Sequence, residues 1–320
     1  MKTMKYNLVQ YLKHAVVFSL ILTNTQIDLL AQFNYPDFSS PEGLNIVGNA
    51  FQVDSILRLT AALRSQRAAI YYLTKQNVEA GFQTTFQFQF TGQGGISPPG
   101  ADGIAFVIQN VNNSIIGSSN GGNLGYSGIT NSIAIEFDTW PNGEFSDPNG
   151  NHISIQTRGL LANSSHHNYS LGSTTTIPNL KNGNIYIAKI TYNNNQLKVF
   201  LDSLNNPVLT VNVNLATTLQ LDNSKAYVGF TSATGNAYQN HDLISWSFET
   251  LQAAKTPVIF IPGIMGSPLF DDFNNDNHLY HYLTAFQADE FIWADTPELI
   301  SNLTDSFLNA LQLNDDGITS

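Results

Sequence analysis

Between Ile133 and Ile155 the chain reads IAIEFDTWPNGEFSDPNGNHISI, and this stretch restricts the fold more than any other. Ile133, Ile135 and Phe137 alternate with Ala134, Glu136 and Asp138, so on a strand both carboxylates leave one face and the large apolar groups the other. Two adjacent carboxylates on one face repel unless something cationic lies between them. The following WPNGEFSDPNGN is full of turn-forming Pro, Gly, Asn and Asp, and HISI resumes the strand pattern. The pattern predicts a hairpin that returns Asp147 and His152 toward Glu136 and Asp138. Calcium takes carboxylate, amide and backbone oxygens, whereas an imidazole nitrogen suits a transition metal such as manganese. The set therefore has donors for two ions, with Asp138 and Asp147 placed to bridge them. On composition alone, such a loop is equally a solvated turn.

From Gln32 to Phe248 many short strands alternate with turn clusters. Phe86, Phe88 and Phe90 alternate with Gln87 and Gln89, as on a half-buried strand, and Ile185 to Ile190, Leu197 to Leu201, Val208 to Val213 and Tyr227 to Phe230 supply more. Asn193 to Asn195 reads as a hairpin turn. Regularly spaced strands without helical periods indicate an all-β sandwich, and the length is ample for one such core. No internal repeat is visible.

The spacing ExDxWxN, then Asp147 and His152 at five-residue steps, resembles the metal loop of the L-type (legume) lectins. PDFSSPEGL from Pro36 resembles that family's opening strand, ADGIAFVI from Ala101 its first sugar loop, and GGNLG from Gly121 its second. VGFTSATG from Val228 and HDLISWSF from His241 resemble its closing loop and last strand. The ordered set spans residues 33–250 and implies a jelly-roll sandwich that binds glycans.

The resemblance further implies that Glu136, Asp138, Asp147 and His152 hold a transition metal, manganese or another. It assigns calcium to Asp138, Asn142, Asp147 and the Trp140 carbonyl. The implied sugar site combines Asp102, the Gly122 backbone N–H, Asn142 and the Trp140 ring, with Gly235 and Asn236 in a fourth loop around Thr234 to Tyr238. A carboxylate accepting from sugar hydroxyls makes charge-assisted contacts of about 1.5 to 3 kcal/mol each, and an indole covers the apolar side of the ring. The resemblance also implies a cis Ala101–Asp102 peptide, with the metals organising the sugar loop rather than touching the sugar. Many relatives dimerise, so a homodimer is a possible assembly.

Residues 1–31 carry Lys2, Lys5 and Lys13, an apolar run from Ala15 to Leu22 and a small residue at Ala31, which reads as a signal peptide and predicts secretion. That run is too short to span a bilayer, and no other stretch is long and apolar enough. With no cysteine, core packing and metals must support the fold without disulfides. A net charge of −11 with 13 Lys and Arg argues against a nucleic-acid or anionic-membrane partner and is compatible with neutral glycans.

After a linker at 251–256, PVIFIPGIMGSPL resembles the first strand and oxyanion loop of α/β-hydrolases related to lipases and lecithin:cholesterol acyltransferases. The loop's oxyanion donors would be the N–H groups of Ile264 or Met265. Residues 257–320 thus read as a partial hydrolase domain, and no GxSxG follows Gly266 to supply a nucleophile. GxSxG occurs once, from Gly117 to Gly121, but no helical period follows Ser119 and the motif precedes the oxyanion strand, so no catalytic residue is assigned. His278 and His281 have no evident partners, and His166 and His167 lie in an Asn- and Ser-rich loop where exposure is expected. Three functions are compatible with these readings. One is a secreted glycan-binding protein, and another the targeting module of a larger esterase or acyltransferase continuing beyond Ser320. The third is an adhesin or structural sandwich that metals merely stabilise.

Overall fold

The computed structural model describes residues 29–251. The greater part of the signal segment, the linker from Gln252, and the hydrolase-like segment 257–320 with Ile264, Met265, His278 and His281 lie outside the described residues.

The first eight strands are β1 (Leu29–Tyr35), β2 (Leu44–Gly48), β3 (Phe51–Val53), β4 (Ile56–Thr60), β5 (Arg67–Tyr72), β6 (Gln76–Asn77), β7 (Phe82–Gly95) and β8 (Gly103–Gln109). They are followed by β9 (Ser132–Asp138), β10 (His152–Thr157), β11 (Ser170–Thr174), β12 (Ile185–Asn193), β13 (Gln196–Leu201), β14 (Leu209–Asn212), β15 (Lys225–Ala233) and β16 (Ala237–Leu251). One antiparallel sheet runs β14-β13-β12-β7-β16-β4-β3, with β1 added to β16. The other runs β11-β10-β9-β8-β15-β5-β2, with β6 on β15. β1 begins at Leu29, so its first residues fall inside the segment read as a signal peptide.

Alternation places the core between the sheets. β7 buries Phe82, Phe86, Phe88 and Phe90 on one face and leaves Gln83, Gln87 and Gln89 half-exposed on the other. Phe86 meets Phe230 of β15 edge-on at 4.8 Å between centroids, and Phe88 meets Phe137 of β9 at 5.3 Å. Trp246 of β16 closes on Phe230 at 5.0 Å, and its indole N–H donates to Thr84 Oγ1 at 2.9 Å. Edge-to-face pairs of this kind add to the area their rings bury, and the buried indole nitrogen is satisfied. Asn194 and Asn195 both take positive φ, 50° and 59°, in the two-residue turn between β12 and β13. That is the geometry matching the twist of paired strands.

β8 and β9 are buried along their whole length, on both faces. The 110–131 connection lays Leu124, Tyr126 and Ile129 over Ala105, Val107 and Ala134 on the outer side of the second sheet. Glu136 and Asp138 point to that outer side, yet only 1% and 3% of their surface is exposed. The alternation predicts one face for both carboxylates; the covering loop removes that face from water.

Candidate functional site

Register builds the acidic cluster. β10 pairs with β9 so that His152 lies opposite Asp138 and Ser154 opposite Glu136, and β8 sets Gly103 opposite Asp138 from the other side. The intervening loop closes on itself: Asp138 Oδ1 accepts from the Trp140 N–H at 2.7 Å, and Asp147 Oδ2 accepts from the Asn142 N–H at 2.7 Å. Glu136 is oriented by the hydroxyls of Tyr126 and Ser154 and, at 3.4 Å, by Gln156 Nε2.

Burial dominates the electrostatics. It raises Glu136 to about 7 and Asp147 to about 6, and holds Asp138 well above the usual carboxylate range, with Asp147 and Glu136 adding like charge beside it. Burial, aided by the neighbouring His167, lowers His152 to about 4, so its ring is neutral and available as a ligand. Burial lowers the Lys181 pKa, with Asp138 pulling it back up, and its ammonium is held on the carbonyls of Pro99 and Gly100 at 3.4 and 3.2 Å. Asn142 Oδ1 is buried without a hydrogen-bond partner. An orphaned amide oxygen beside crowded carboxylates is the donor set a hard cation takes, and the neutral imidazole adds what a transition metal takes. The residues present therefore fit both ions.

Next to this loop lies an open depression of about 240 Å³ whose lining includes Asp102, Gly122, Trp140, Asn142, Gly235 and Asn236, together with Ile96. All six residues assigned to the sugar site thus border one space. Asp102 follows a cis Ala101–Asp102 peptide, and its Oδ2 is buried without a partner. A Cβ on Gly235 would stand 3.4 Å from that oxygen. A Cβ on Gly122 would stand 2.2 Å from Asn142 Oδ1, so glycine is required for Asn142 to lie against this backbone. Burial raises Asp102 to about 7, with the Gly235 backbone pulling the other way.

The backbone around Asp102 is pinned from beneath. Its N–H donates to the Ala233 carbonyl at 3.2 Å, and Ser232 Oγ donates to the Gly103 carbonyl at 2.8 Å. Gln239 Nε2 donates to Thr139 Oγ1 at 2.9 Å and reaches His241 Nε2 at 3.1 Å. His241 Nδ1 lies 2.6 Å from Thr60 Oγ1. A neutral His241 protonated on Nδ1 satisfies every one of these contacts, and burial lowers its pKa to about 3.

Residues 30–258 match the family model of the legume lectin domain. The chain belongs to the legume lectin family.

The lectin domain is 31% identical over 260 residues to the seed lectin of Styphnolobium japonicum, covering 72% of this chain and 82% of that protein. It is 32% identical over 199 residues to the probable L-type lectin-domain containing receptor kinase S.7 of Arabidopsis thaliana, covering 56% of this chain and 28% of the kinase. The chain thus spans less than a third of that receptor kinase's length. Among solved structures, the Bauhinia forficata lectin in complex with GalNAc superposes with a TM-score of 0.58 at 27% identity. That match covers 70% of this chain and 99% of the Bauhinia chain. The basic winged bean lectin with Tn-antigen gives 0.58 at 28% identity, covering 71% and 100%. The jelly-roll sandwich and the carbohydrate-binding class of the domain follow from these likenesses.

One side chain of the lectin domain departs from the sequence reading, and a second has a role that the sequence reading did not assign. His167, expected on an exposed loop, turns inward against His152 and leaves only 12% of its side chain exposed. His241 sits in the strand read as closing the sandwich, and it underpins the Asp102 loop from full burial. A polar residue in an apolar-alternating strand, as at Gln239 and His241, was the signal available for the second. Ser119 is exposed in an irregular stretch before the 3-10 turn Gly121–Asn123, not at a strand-to-helix elbow.

Proposed function

We propose that the lectin domain binds glycans reversibly in the depression lined by Asp102 and Trp140, with calcium and a transition metal fixing the loop that forms it. The observation that carries the reading is a pair of buried, unpartnered oxygens, Asp102 Oδ2 and Asn142 Oδ1, on residues lining the same depression. An unpaired buried acceptor costs about 1 to 3 kcal/mol, more when charged, so each calls for a partner. A sugar hydroxyl supplies the donor that Asp102 needs, and calcium the charge that Asn142, Asp138, Asp147 and the Trp140 carbonyl accept. Glu136, Asp138, Asp147 and His152 are the residues to hold the transition metal. The ions neutralise the crowded carboxylates and hold Asn142 toward the sugar; no bond is made or broken.

Glycan binding by the full chain, compared with calcium and manganese present and after EDTA, tests this reading. N-acetylgalactosamine is the first probe, because the Bauhinia relative was solved with GalNAc. Binding lost in EDTA supports the proposal. Metal-dependent stability with no response to any glycan would favour a purely structural role for the ions.

We also propose export, on the strength of the basic, apolar and small-residue order within residues 1–31. N-terminal sequencing of the protein recovered from the expressing cells' medium checks it; retention of the intact start inside the cell would count against it.

A further inference from the structure

His152 supplies one nitrogen to the transition-metal end of the loop, and a second nitrogen lies beside it. His167 opens a short 3-10 turn, His167–Tyr169, in the connection between β10 and β11. Its ring meets that of His152 with centroids 5.0 Å apart and planes at 63°. The two Nε2 atoms are separated by 3.1 Å, and His167 Nε2 lies 3.9 Å from Asp147 Oδ1. One ligand atom from each of Glu136, His152 and His167 lies within 4.8 Å of the others.

The orientation of His152 decides what its Nε2 offers. Its Nδ1 is 2.9 Å from the Asn149 carbonyl, which only accepts, so Nδ1 carries the proton and Nε2 turns a lone pair toward His167. Two arrangements satisfy that lone pair: an N–H from His167, or a cation shared by both rings. The first leaves the buried Glu136 and Asp138 crowded against Asp147 with no positive charge among them. The second supplies it. Metal–nitrogen bonds of about 2.0 to 2.1 Å place two imidazole nitrogens on one ion roughly 3.0 to 3.4 Å apart, and the observed separation falls in that interval.

We infer that His167 is a further ligand of the transition-metal site, so that two imidazoles face the carboxylates and the site is shifted away from manganese toward zinc, cobalt or nickel. Imidazole suits those ions, whereas carboxylate and water suit manganese. The inference rests on the metal loop proposed above.

The test uses the full chain, stripped of metal, with calcium in excess, and zinc and manganese competing for it. Metal content is read by mass spectrometry. Zinc outcompetes manganese at most nitrogen–oxygen sites, so the readout is the change in ratio on substitution. In His167→Gln the zinc-to-manganese ratio is expected to fall on the order of tenfold, chiefly through weaker zinc binding. Copper(II) bound to the unsubstituted chain provides a reading that needs no variant, its EPR hyperfine structure showing two coordinated nitrogens. A single nitrogen, or an unchanged ratio in a folded His167→Gln, overturns the role of His167 and leaves the metal loop standing. Failure of the unsubstituted chain to take up any ion beside calcium overturns the metal loop and this inference with it.

Discussion

Thr139 grips Asp102 twice: its N–H and its hydroxyl both donate to the Asp102 carbonyl oxygen, at 2.8 and 3.0 Å. Thr139 follows the metal-loop aspartate Asp138 directly, and Asp102 precedes the residue paired with Asp138 across the sheet. The acidic loop and the depression's carboxylate are therefore joined through one residue. On the proposed function, ordering of the first by metal would reach the second through these two hydrogen bonds.

Thr139→Val keeps the shape and removes the hydroxyl, which takes one of the two acceptors of Gln239 Nε2 and leaves it His241 alone. Losing one partner of a buried polar pair costs about 1 to 3 kcal/mol. The expected result is a lower Tm and weaker glycan binding with unchanged metal content, read by thermal melts, calorimetry and metal analysis. Full glycan affinity in the variant would show that the loop is held without this link.

Asp102→Ala is expected to abolish glycan binding while leaving both metals in place. Two charge-assisted contacts of about 1.5 to 3 kcal/mol each correspond to well over a hundredfold in affinity. Stability should move the other way. Burial raises the Asp102 pKa from 3.8 to about 7, so its contribution to stability is present below its unfolded value and is lost as pH rises through the folded one. The variant's Tm relative to the unsubstituted chain should therefore climb between pH 4 and 7 and level off above. An advantage that shrinks over that range would put Asp102 in a salt-bridged setting.

The β-sandwich was legible because its signals are local. Phe86, Phe88 and Phe90 declare a strand by alternation, and Asn194 and Asn195 declare its turn. The acidic loop was legible for the same reason, since Glu136 to His152 lie within one hairpin. What stayed hidden depends on chain segments meeting from afar. His167 reaches His152 only because the loop after β10 folds back over the outer face, and an Asn- and Ser-rich context gives no hint of that. His241 contacts Thr60, whose strand is far away in sequence, through an arrangement fixed by the pairing of β16 with β4. The depth of burial of Glu136 was equally invisible, because the 110–131 cover has no regular period.

Gly122→Ala separates the two ions. Its φ is not in the left-handed region, so alanine is permitted by the backbone, but the new methyl would overlap the Asn142 amide at 2.2 Å. Asn142 must swing out, and of the two ions it is assigned to calcium alone. Calcium affinity should fall by at least about tenfold, the loss expected when a ligand or its support is disturbed, with the transition metal retained. Calorimetric titration of each ion separately measures this. Equal loss of both would mean that the two positions form and collapse as a unit.

Acid sensitivity distinguishes which groups gate the metals. Metal binding requires a neutral His152 and ionised carboxylates, so both sets of groups oppose it in acid. Burial already lowers His152 to about 4, which leaves the carboxylates as the groups that decide the upper part of the range. Glu136 is raised from 4.5 to about 7 and Asp147 from 3.8 to about 6, so in the metal-free fold both hold protons well above their usual range. Their contribution to metal-free stability is complete below their unfolded values and is lost as pH climbs through the folded ones. Cations restore it by replacing the protons, so metal binding releases them and gains about one decade of affinity per pH unit for each proton displaced. The Tm increase on adding calcium and a transition metal should be small at pH 5 and reach its full size by pH 8. Melts across that range with and without metal, together with proton release measured calorimetrically in buffers of different ionisation enthalpy, test the expectation. A gain that stays level from pH 5 to 8 would mean that the carboxylates enter the site already ionised, with burial offset by charge that the metal-free protein supplies itself.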